Sequence, residues 1–389
     1  MRSFSCAKNK ILEMTSETKN CIWRWMGFAC RIIFGALFIF SGFVKAIDPL
    51  GFSYKMHDYL EAWNLTQFDP LTLVGAIGMS ALEFAIGCCI LFGIRLREAA
   101  WVGLAFMLFY TPLTLWIAIE NPVSDCGCFG DAIVITNWQT FWKNAILLTL
   151  AIIILKTEKL QHSHLSPLPS WLLVGAFFAV SVALSLYCLR YLPIIDFRPY
   201  KIGANISEGM TIPEGAETDV YETTYTYAHN GVEQQFSQAE FIKSPYLWED
   251  STWHFVTQES KLVRKGYTPP IHDFVLTTRD GDDITADVLA DEGPVYLIIM
   301  YDLEKTDTAH LDALRQLYAT RTAEGAKFYA LTASYDELID RFVEQTQLPF
   351  DFCTADPIML KTVVRANPGI VVLKNGTVID KYSHARIPQ

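Results

Sequence analysis

Five long apolar runs dominate the first half of the chain and constrain its fold more than any other feature. A helix that crosses a bilayer needs about 20 apolar residues at about 1.5 Å rise per residue. The runs approach or exceed that length, the fourth being the shortest, and lie at Met26–Ala46, Leu71–Ile94, Ala99–Ile119, Trp138–Leu155 and Trp171–Leu192. Because soluble helices rarely stay uncharged over such lengths, the sequence predicts a membrane protein with five crossings, for which the lipid bilayer is the first partner.

Lysine and arginine residues are distributed unevenly among the segments that connect these runs. They cluster before the first run and occur again after the second and the fourth, whereas 47–70 and 120–137 contain only Lys55. Since positive residues accumulate on the cytoplasmic side, we expect a multi-pass protein of the bacterial inner membrane with a cytoplasmic N-terminus. Five crossings then place the C-terminal half in the periplasm. From Asp196 onward that half holds 30 acidic and 17 basic residues, which argues against nucleic acid as a partner.

Two charged residues, Arg31 and Glu83, lie deep in the first and second runs. A charge at that depth is costly unless it is paired. Arg31 lies about 22 Å below Ala46 along its helix, and Glu83 lies about 18 Å below Leu71. An arginine side chain spans the difference, so we expect an Arg31–Glu83 ion pair that pins two helices or, alternatively, faces a substrate or quinone. Lys45, at the end of the first run, is expected to reach the membrane interface.

The segment NPVSDCGCFGD (121–131) places Cys126 and Cys128 one residue apart. It follows the third run, so it is expected at the periplasmic face, where disulfides persist. A disulfide between residues i and i+2 closes a small strained ring, and strain makes such a bond labile and oxidising. Gly127 gives the backbone the freedom that this ring requires. A redox pair, a structural disulfide and two reduced thiols at a tight turn are the alternatives; two cysteines without histidine cannot complete a zinc site.

Several motifs of the first half together resemble a known family. RIIFGALFIFSGFVKAIDP, the glutamate in ALEFAIG, and CGCFG before the fourth helix resemble the DoxX-like membrane proteins, in particular the MauE type, over about residues 24–155. The resemblance implies a four-helix bundle associated with thiol–disulfide chemistry, and MauE itself is linked to disulfide formation in a partner enzyme. It implies functional positions at Cys126, Cys128, Lys45, Arg31 and Glu83.

The C-terminal half starts with a β-rich segment, 196–268, in which alternating residues flank the hairpin signal His229-Asn230-Gly231. From residue 269, strand and helix patterns alternate and end in a second hairpin at Asn375-Gly376, which is α/β order. PPIHDF and NPGIVVLKNGT resemble the TlpA-like exported branch of the thioredoxin-like fold over about 120 residues. That resemblance implies a cis peptide bond before Pro368.

The exported domain departs from that family at its redox motif. Working members carry Cys-x-x-Cys after the strand that reads VYLIIM here, but Tyr301–Asp307 contains no cysteine. Cys353 is either a buried small residue or a single thiol that exchanges with a partner or with Cys126 and Cys128.

The sequence thus predicts a membrane α-helical bundle, four-helix DoxX/MauE-like plus a fifth transmembrane helix, followed by an exported α/β thioredoxin-like domain with a small β-rich insertion. The expected units are the cytoplasmic tail 1–21, the bundle 22–155, a cytoplasmic linker 156–170, the fifth helix 171–192, the β-rich segment 196–268 and the degenerate thioredoxin-like domain 269–389.

The favoured function is thiol–disulfide exchange at the membrane, in which Cys126 and Cys128 act on an exported thiol-containing protein that the C-terminal domain recruits. A membrane quinone is the expected electron acceptor, by analogy with bundles of similar purpose. The alternative is a non-catalytic, membrane-anchored binding or assembly module of the cell envelope.

Overall fold

The membrane half of the protein is built from long helices with short connections. The computed structural model describes residues 2–123, 125–161, 166–217, 220–264 and 266–388, with the side chains of residues 2–17 and 262 excepted, so part of the predicted linker lies outside the described residues. The helices are α1 (Arg2–Ile47), α2 (Pro49–Ala62), α3 (Thr72–Phe92), α4 (Leu96–Glu120), α5 (Asn137–Thr157) and α6 (Pro167–Tyr191). Within those described ranges, five helical segments are long and apolar enough to cross a membrane, which confirms the predicted crossings. Helix α1 continues through the predicted N-terminal tail.

Helices α1 and α3 form a tightly packed antiparallel pair because glycines on each helix let the backbone of the other approach closely. A Cβ atom added at Gly42 would lie 2.5 Å from the backbone nitrogen of Phe84, and one added at Gly87 would lie 2.6 Å from that of Ile39. Any larger residue would therefore push the helices apart, as is common where small residues line membrane helix contacts. This packing fixes the register and sets Ser41 level with Glu83.

The bundle core lies between α1, α3, α4 and α5, and α6 packs on α1 and α3 from outside. Helix α2 lies beyond the end of α1. It begins where Asp48 accepts a hydrogen bond from the Gly51 amide at 3.0 Å, and Pro49 suits the first helical position because it lacks an amide hydrogen. The Ser53 hydroxyl of α2 bonds the Thr72 hydroxyl at 2.9 Å, so α3 extends past the end of α1 to reach α2.

The β-rich segment folds into a small antiparallel sheet. After α7 (Ile206–Met210) come the strands β1 (Val220–His229), β2 (Val232–Ser237) and β3 (Trp253–Arg264), in the order β2-β1-β3. The short helices α8 (Gln238–Lys243) and α9 (Tyr246–Glu249) lie between β2 and β3. Asn230 and Gly231 take positive φ angles of 54° and 78°, as a two-residue hairpin turn requires, so the predicted hairpin is confirmed.

The C-terminal domain is thioredoxin-like. Its strands are β4 (Thr277–Thr278), β5 (Val295–Ile299), β6 (Lys327–Thr332), β7 (Asp351–Thr354), β8 (Gly369–Lys374) and β9 (Thr377–Ser383). Its helices are α10 (Thr285–Ala290), α11 (Leu311–Ala323), α12 (Asp336–Thr346) and α13 (Pro357–Val363). The sheet order is β4-β7-β6-β5-β8-β9, with β5, β6 and β7 parallel and the β8–β9 hairpin antiparallel. Apolar cores cover both sheet faces, and the Asn367–Pro368 peptide bond before β8 is cis, as predicted.

The thioredoxin-like domain packs on the end of the bundle that carries α2, which we call the domain side. The Ser383 hydroxyl donates to the carbonyl of Arg190 at the end of α6, at 2.9 Å. Arg198, in the connection after α6, donates to the Thr362 carbonyl of α13, also at 2.9 Å. The connection 193–204 therefore holds the domain against the bundle rather than acting as a free tether.

Candidate redox site

Cys126 and Cys128 lie on the domain side, in the loop between α4 and α5, and are joined by a disulfide bond. Their Cα atoms are 5.5 Å apart. Gly127 between them takes φ +64°, a conformation that is costly for residues with a Cβ atom. The Asp125 side chain accepts a hydrogen bond from the Gly127 amide at 2.8 Å and so stabilises this turn.

Three helices hold the backbone of this loop in place. Tyr59 of α2 donates to the Cys126 carbonyl at 2.9 Å, and Ser41 of α1 has its hydroxyl 2.7 Å from the Cys128 carbonyl. Asn137, the first residue of α5, donates its side-chain amide to the Val123 carbonyl at 2.9 Å. The disulfide is thus fixed relative to the bundle from both sides.

The two sulfur atoms have different surroundings. Cys126 is 8% exposed and packs against Ile117 and Val123, whereas Cys128 is partly exposed. The Cys126 Sγ lies 3.2 Å from the Cys128 amide nitrogen and 3.5 Å from the hydroxyl of buried Thr140 on α5. A disulfide sulfur carries no hydrogen, so the amide and the hydroxyl are the donors in these contacts.

A buried ion pair lies directly beneath the loop. The Lys45 ammonium is 2.8 Å and 2.9 Å from the two carboxylate oxygens of Glu83, and their side chains are only 5% and 8% exposed. Ser41 lies at the junction, because its oxygen is 3.2 Å from the Lys45 ammonium, 3.1 Å from Glu83 and 2.7 Å from the Cys128 carbonyl. The pair is therefore linked to the disulfide loop through one hydroxyl.

The predicted Arg31–Glu83 ion pair is wrong, and so is the prediction that Lys45 reaches the membrane interface. Helix α3 begins level with α2, which lies beyond the end of α1. Glu83 is therefore level with Ser41, one turn before Lys45 on α1, and within reach of the Lys45 ammonium. Arg31 lies about 21 Å from Lys45 along α1. It donates to the Ile90 and Leu91 carbonyls at 2.9 Å and 3.2 Å and to Gln161 at 2.8 Å. The candidate residues for a cofactor therefore divide into a Lys45–Glu83 group near the disulfide and Arg31 at the opposite end.

A small cavity separates the ion pair from α4 and α5. It has a volume of about 30 Å³ and a mixed wall of apolar residues with Ser41, Lys45, Glu83, Tyr110, Cys128, Lys143 and Asn144. The Tyr110 hydroxyl is buried without a hydrogen-bond partner among the described residues, and the Lys143 ammonium lies 4.4 Å above the Phe129 ring. A cavity of this size, with several polar groups in its wall, has room for one water molecule.

A much larger cavity, of about 500 Å³, opens between the bundle and the thioredoxin-like domain. Gly127, between the two cysteines, forms part of its wall. Its charged residues come from the end of α1, α2 and its N-cap, the disulfide loop, the 193–198 connection, and α13 with the residues that follow it. They are Asp48, Asp58, Glu61, Asp125, Asp131 and Asp196, with Lys45, Lys55, Arg198, Lys361 and Arg365. Charges of both signs within one pocket suit a polar, peptide-like ligand better than an apolar one.

Arg365 of the thioredoxin-like domain closes one side of this large cavity. Its Nε and Nη2 atoms donate to Asp48 at 3.0 Å and 2.9 Å, and Asp131 lies 3.7 Å away. Burial opposes ionisation of Asp48, but the charges of Arg365 and Arg198 outweigh it and lower the pKa of Asp48. Arg365 is itself only 8% exposed, so this ion pair is a specific contact between the two domains.

The face of the domain around the cis proline turns toward α2. Tyr301 follows β5, where working thioredoxin-like domains carry their first redox cysteine, and its hydroxyl lies close to that of Tyr54 of α2. The Tyr54 ring also lies 5.4 Å from the Arg365 guanidinium. The position that would hold the redox motif is thus packed against the bundle.

Cys353 lies in β7, inside the core between the sheet and α13, and is 1% exposed. Burial raises the pKa of its thiol to about 11, so the thiol is neutral at pH 7. Its surroundings are those of a small packing residue, the first of the two alternatives, although its role in exchange stays untested.

Sequence reasoning missed Ser41, Thr140 and the Asp48–Arg365 contact. Ser41 lies one turn before Lys45 on the same helix face. This spacing could have predicted that Ser41 belongs to the same site as Lys45. In the sequence, Thr140 cannot be distinguished from any other polar residue near the start of a helix, so its contact with Cys126 was not predictable. Asp48 and Arg365 are 317 residues apart, and nothing local connects them.

Comparisons with known proteins support the description of the membrane half. The family model described as methylamine utilisation protein MauE matches residues 23–157, so the resemblance predicted for this region is confirmed. A second model, described as a domain of unknown function (DUF8463), matches residues 221–265, which span β1 to β3. No curated protein matches the chain.

The thioredoxin-like part is similar to the solution structure of a Bacteroides thetaiotaomicron protein described provisionally as a protein disulfide isomerase. The sequences are 12% identical, and the similarity covers 29% of this chain and 76% of that one with a TM-score of 0.24. Since a score this low carries no structural argument, the fold assignment rests on the sheet order and the position of the cis proline.

Proposed function

We propose that the protein takes part in thiol–disulfide exchange at the bacterial inner membrane, with Cys126 and Cys128 as its redox centre. The client is a thiol-containing exported protein. The observation that carries the proposal is the disulfide itself, which is fixed by α1, α2 and α5 beside a charged cavity of about 500 Å³. Residues 23–157 match the MauE family model, and the resemblance to that family implies thiol–disulfide chemistry.

The exchange that we propose is balanced between client and protein. Two client thiols lose two electrons and two protons and form one disulfide, while the Cys126–Cys128 bond breaks and becomes two thiols. The client would approach the disulfide loop from the large cavity, whose wall includes Gly127 between the two cysteines and where α2 and α13 offer charges of both signs. In this proposal the thioredoxin-like domain forms one wall of the cavity and thereby recruits the client. It carries no redox motif of its own.

A membrane quinone is our proposed acceptor for the electrons of the reduced pair. Lys143 and Tyr110 near Cys128 offer hydrogen-bond donors of the kind that a carbonyl oxygen accepts. The cavity that they line measures about 30 Å³, however, which does not fit a quinone ring. We therefore assign no step to this site.

We further propose that the domain side faces the periplasm and that the N-terminus is cytoplasmic. The positive residues in the part of α1 that precedes its apolar run, together with those near the α3–α4 and α5–α6 connections, support this orientation. Because the disulfide loop and the thioredoxin-like domain share one side of the bundle, a single orientation places both in a compartment where disulfides persist.

The test is oxidation of a synthetic peptide with two cysteines by the purified full-length protein in lipid nanodiscs. We expect up to one peptide disulfide per protein molecule, with matching loss of the Cys126–Cys128 bond. Cys126→Ala/Cys128→Ala should abolish this, and the matched control Cys353→Ala should retain it. Equal peptide oxidation by the double variant would refute the proposal.

The structure also supports a second candidate, a membrane-anchored binding module. The segment Tyr301–Asp307 lacks cysteine, and Tyr301 packs on α2. This domain therefore has a thioredoxin-like fold but no cysteine pair with which to exchange disulfides. If Cys126→Ala/Cys128→Ala fully rescues a deletion strain, the binding module is the correct interpretation.

A further inference from the structure

The disulfide is asymmetric in its accessibility and in its hydrogen bonds. The Cys126 sulfur belongs to a residue that is 8% exposed, whereas Cys128 is partly exposed. An attacking thiolate must approach one sulfur while the other leaves as a thiolate. Exposure therefore favours Cys128 as the sulfur that is attacked.

The leaving sulfur needs hydrogen-bond donors, because negative charge develops on it as the bond breaks. Two donors converge on Cys126 Sγ, the Cys128 amide at 3.2 Å and the Thr140 hydroxyl at 3.5 Å. Thr140 is completely buried, so its hydroxyl is held away from competing water.

Hydrogen bonds fix the backbone around Cys126 and Cys128, so that the two donors stay directed at Cys126 Sγ. Tyr59 donates to the Cys126 carbonyl and Ser41 lies within hydrogen-bond distance of the Cys128 carbonyl. Thr140 lies one turn into α5, whose start is fixed by a capping box at Thr136 and Gln139. These donors are in place before any client binds, which is the condition under which they stabilise developing charge.

We propose that exchange at this site has a fixed direction, in which the client attacks Cys128 and Thr140 is a catalytic residue that stabilises the Cys126 thiolate. This rests on the proposed function and deepens it. The client thiolate forms a bond to Cys128 Sγ, the Cys126–Cys128 bond breaks, and its electron pair stays on Cys126. A second client thiolate then attacks the client sulfur of the mixed disulfide and releases Cys128 as a thiolate; both cysteines end as thiols after taking up protons.

The first test identifies the attacked sulfur with glutathione as a monothiol probe. Full-length oxidised protein in nanodiscs is mixed with glutathione, quenched with acid, alkylated and digested for mass spectrometry. We expect glutathione on Cys128 and the alkyl group on Cys126. Glutathione on Cys126 would overturn the fixed direction but leave the proposed redox function standing, whereas no adduct on either cysteine would overturn both.

The second test measures the role of Thr140 in the same reaction. Thr140→Val keeps the branched shape and removes the donor, so adduct formation should slow about tenfold, the effect of one hydrogen bond to a charged group. Thr140→Ser should restore most of the rate, which a purely structural defect would not predict. Thr157→Val, at a buried threonine near the other end of α5, is the matched control and should react like the unmodified protein.

An unchanged rate in Thr140→Val would overturn the role of Thr140, and so would failure of Thr140→Ser to recover. Neither result would affect the proposed redox function, because that is measured by peptide oxidation in the unmodified protein.

Discussion

The Lys45–Glu83 ion pair provides the sharpest test of how the bundle is assembled. Both side chains are nearly fully buried, and the ammonium contacts both carboxylate oxygens at 2.8 Å and 2.9 Å. At an effective dielectric constant of about 20, two charges 2.8 Å apart attract by roughly 6 kcal/mol before desolvation is subtracted. Removing one partner of a buried pair typically costs about 3–5 kcal/mol, because the other charge stays buried and uncompensated.

We therefore predict that Lys45→Met and Glu83→Gln each destabilise the bundle by about 3 kcal/mol. The double variant should be much less destabilised than the sum, since no charge is then left alone. The coupling energy should be about 2 kcal/mol or more, measured by reversible unfolding in mixed detergent micelles with a double-mutant cycle.

Arg31 supplies the control for this cycle. It lies about 21 Å from Lys45 along α1 and donates to carbonyl oxygens near the end of α3 and to Gln161. Arg31→Met and Glu83→Gln should therefore be additive to within about 0.5 kcal/mol, as distant sites usually are. A strong Arg31–Glu83 coupling together with a weak Lys45–Glu83 coupling would refute the register that we describe for α1 and α3.

The remaining predictions concern the domain contact and the isolated thiol. Arg365→Met should make the 193–204 connection more sensitive to protease at pH 7, whereas Asp312→Asn, at an exposed site, should not; equal sensitivity would contradict a fixed contact. Because the pKa of Asp48 is lowered, its contribution is complete above the ordinary value of about 3.8 and is lost as pH falls through the lower folded value. After correction for the intrinsic exchange rate, the protection of α13 against hydrogen exchange should thus fall as pH is lowered below about 3.8, and less so in Asp48→Asn. Cys353, with a pKa of about 11, should resist iodoacetamide at pH 8 until the protein is unfolded, and rapid labelling of the native protein would argue against its burial.

Much of the fold was predictable because its signals are local. The apolar runs, the turn residues at Asn230-Gly231 and the α/β order of the last 120 residues each reflect what a short segment does by itself. The position of the Cys126–Cys128 pair beside the membrane followed from its place between two runs.

The interior of the site was not predictable, because it depends on how segments far apart in sequence align. Counting residues from the helix ends gave the wrong partner for Glu83, since α3 extends past α1 to meet α2. The register depends instead on the close approach at Gly42 and Gly87. Thr140 acquires its contact with Cys126 only once α5 is placed against the loop.

Thiol trapping in intact membranes tests the redox centre most directly. In a variant that retains only Cys126 and Cys128, we predict that neither cysteine reacts with a maleimide polyethylene glycol reagent until a reductant is added. After reduction and unfolding in detergent, which exposes buried Cys126, both should react and shift the mass of the protein by two labels. Labelling of both cysteines without reductant, unchanged after treatment with an oxidant, would show that no bond forms between them and would contradict the redox centre.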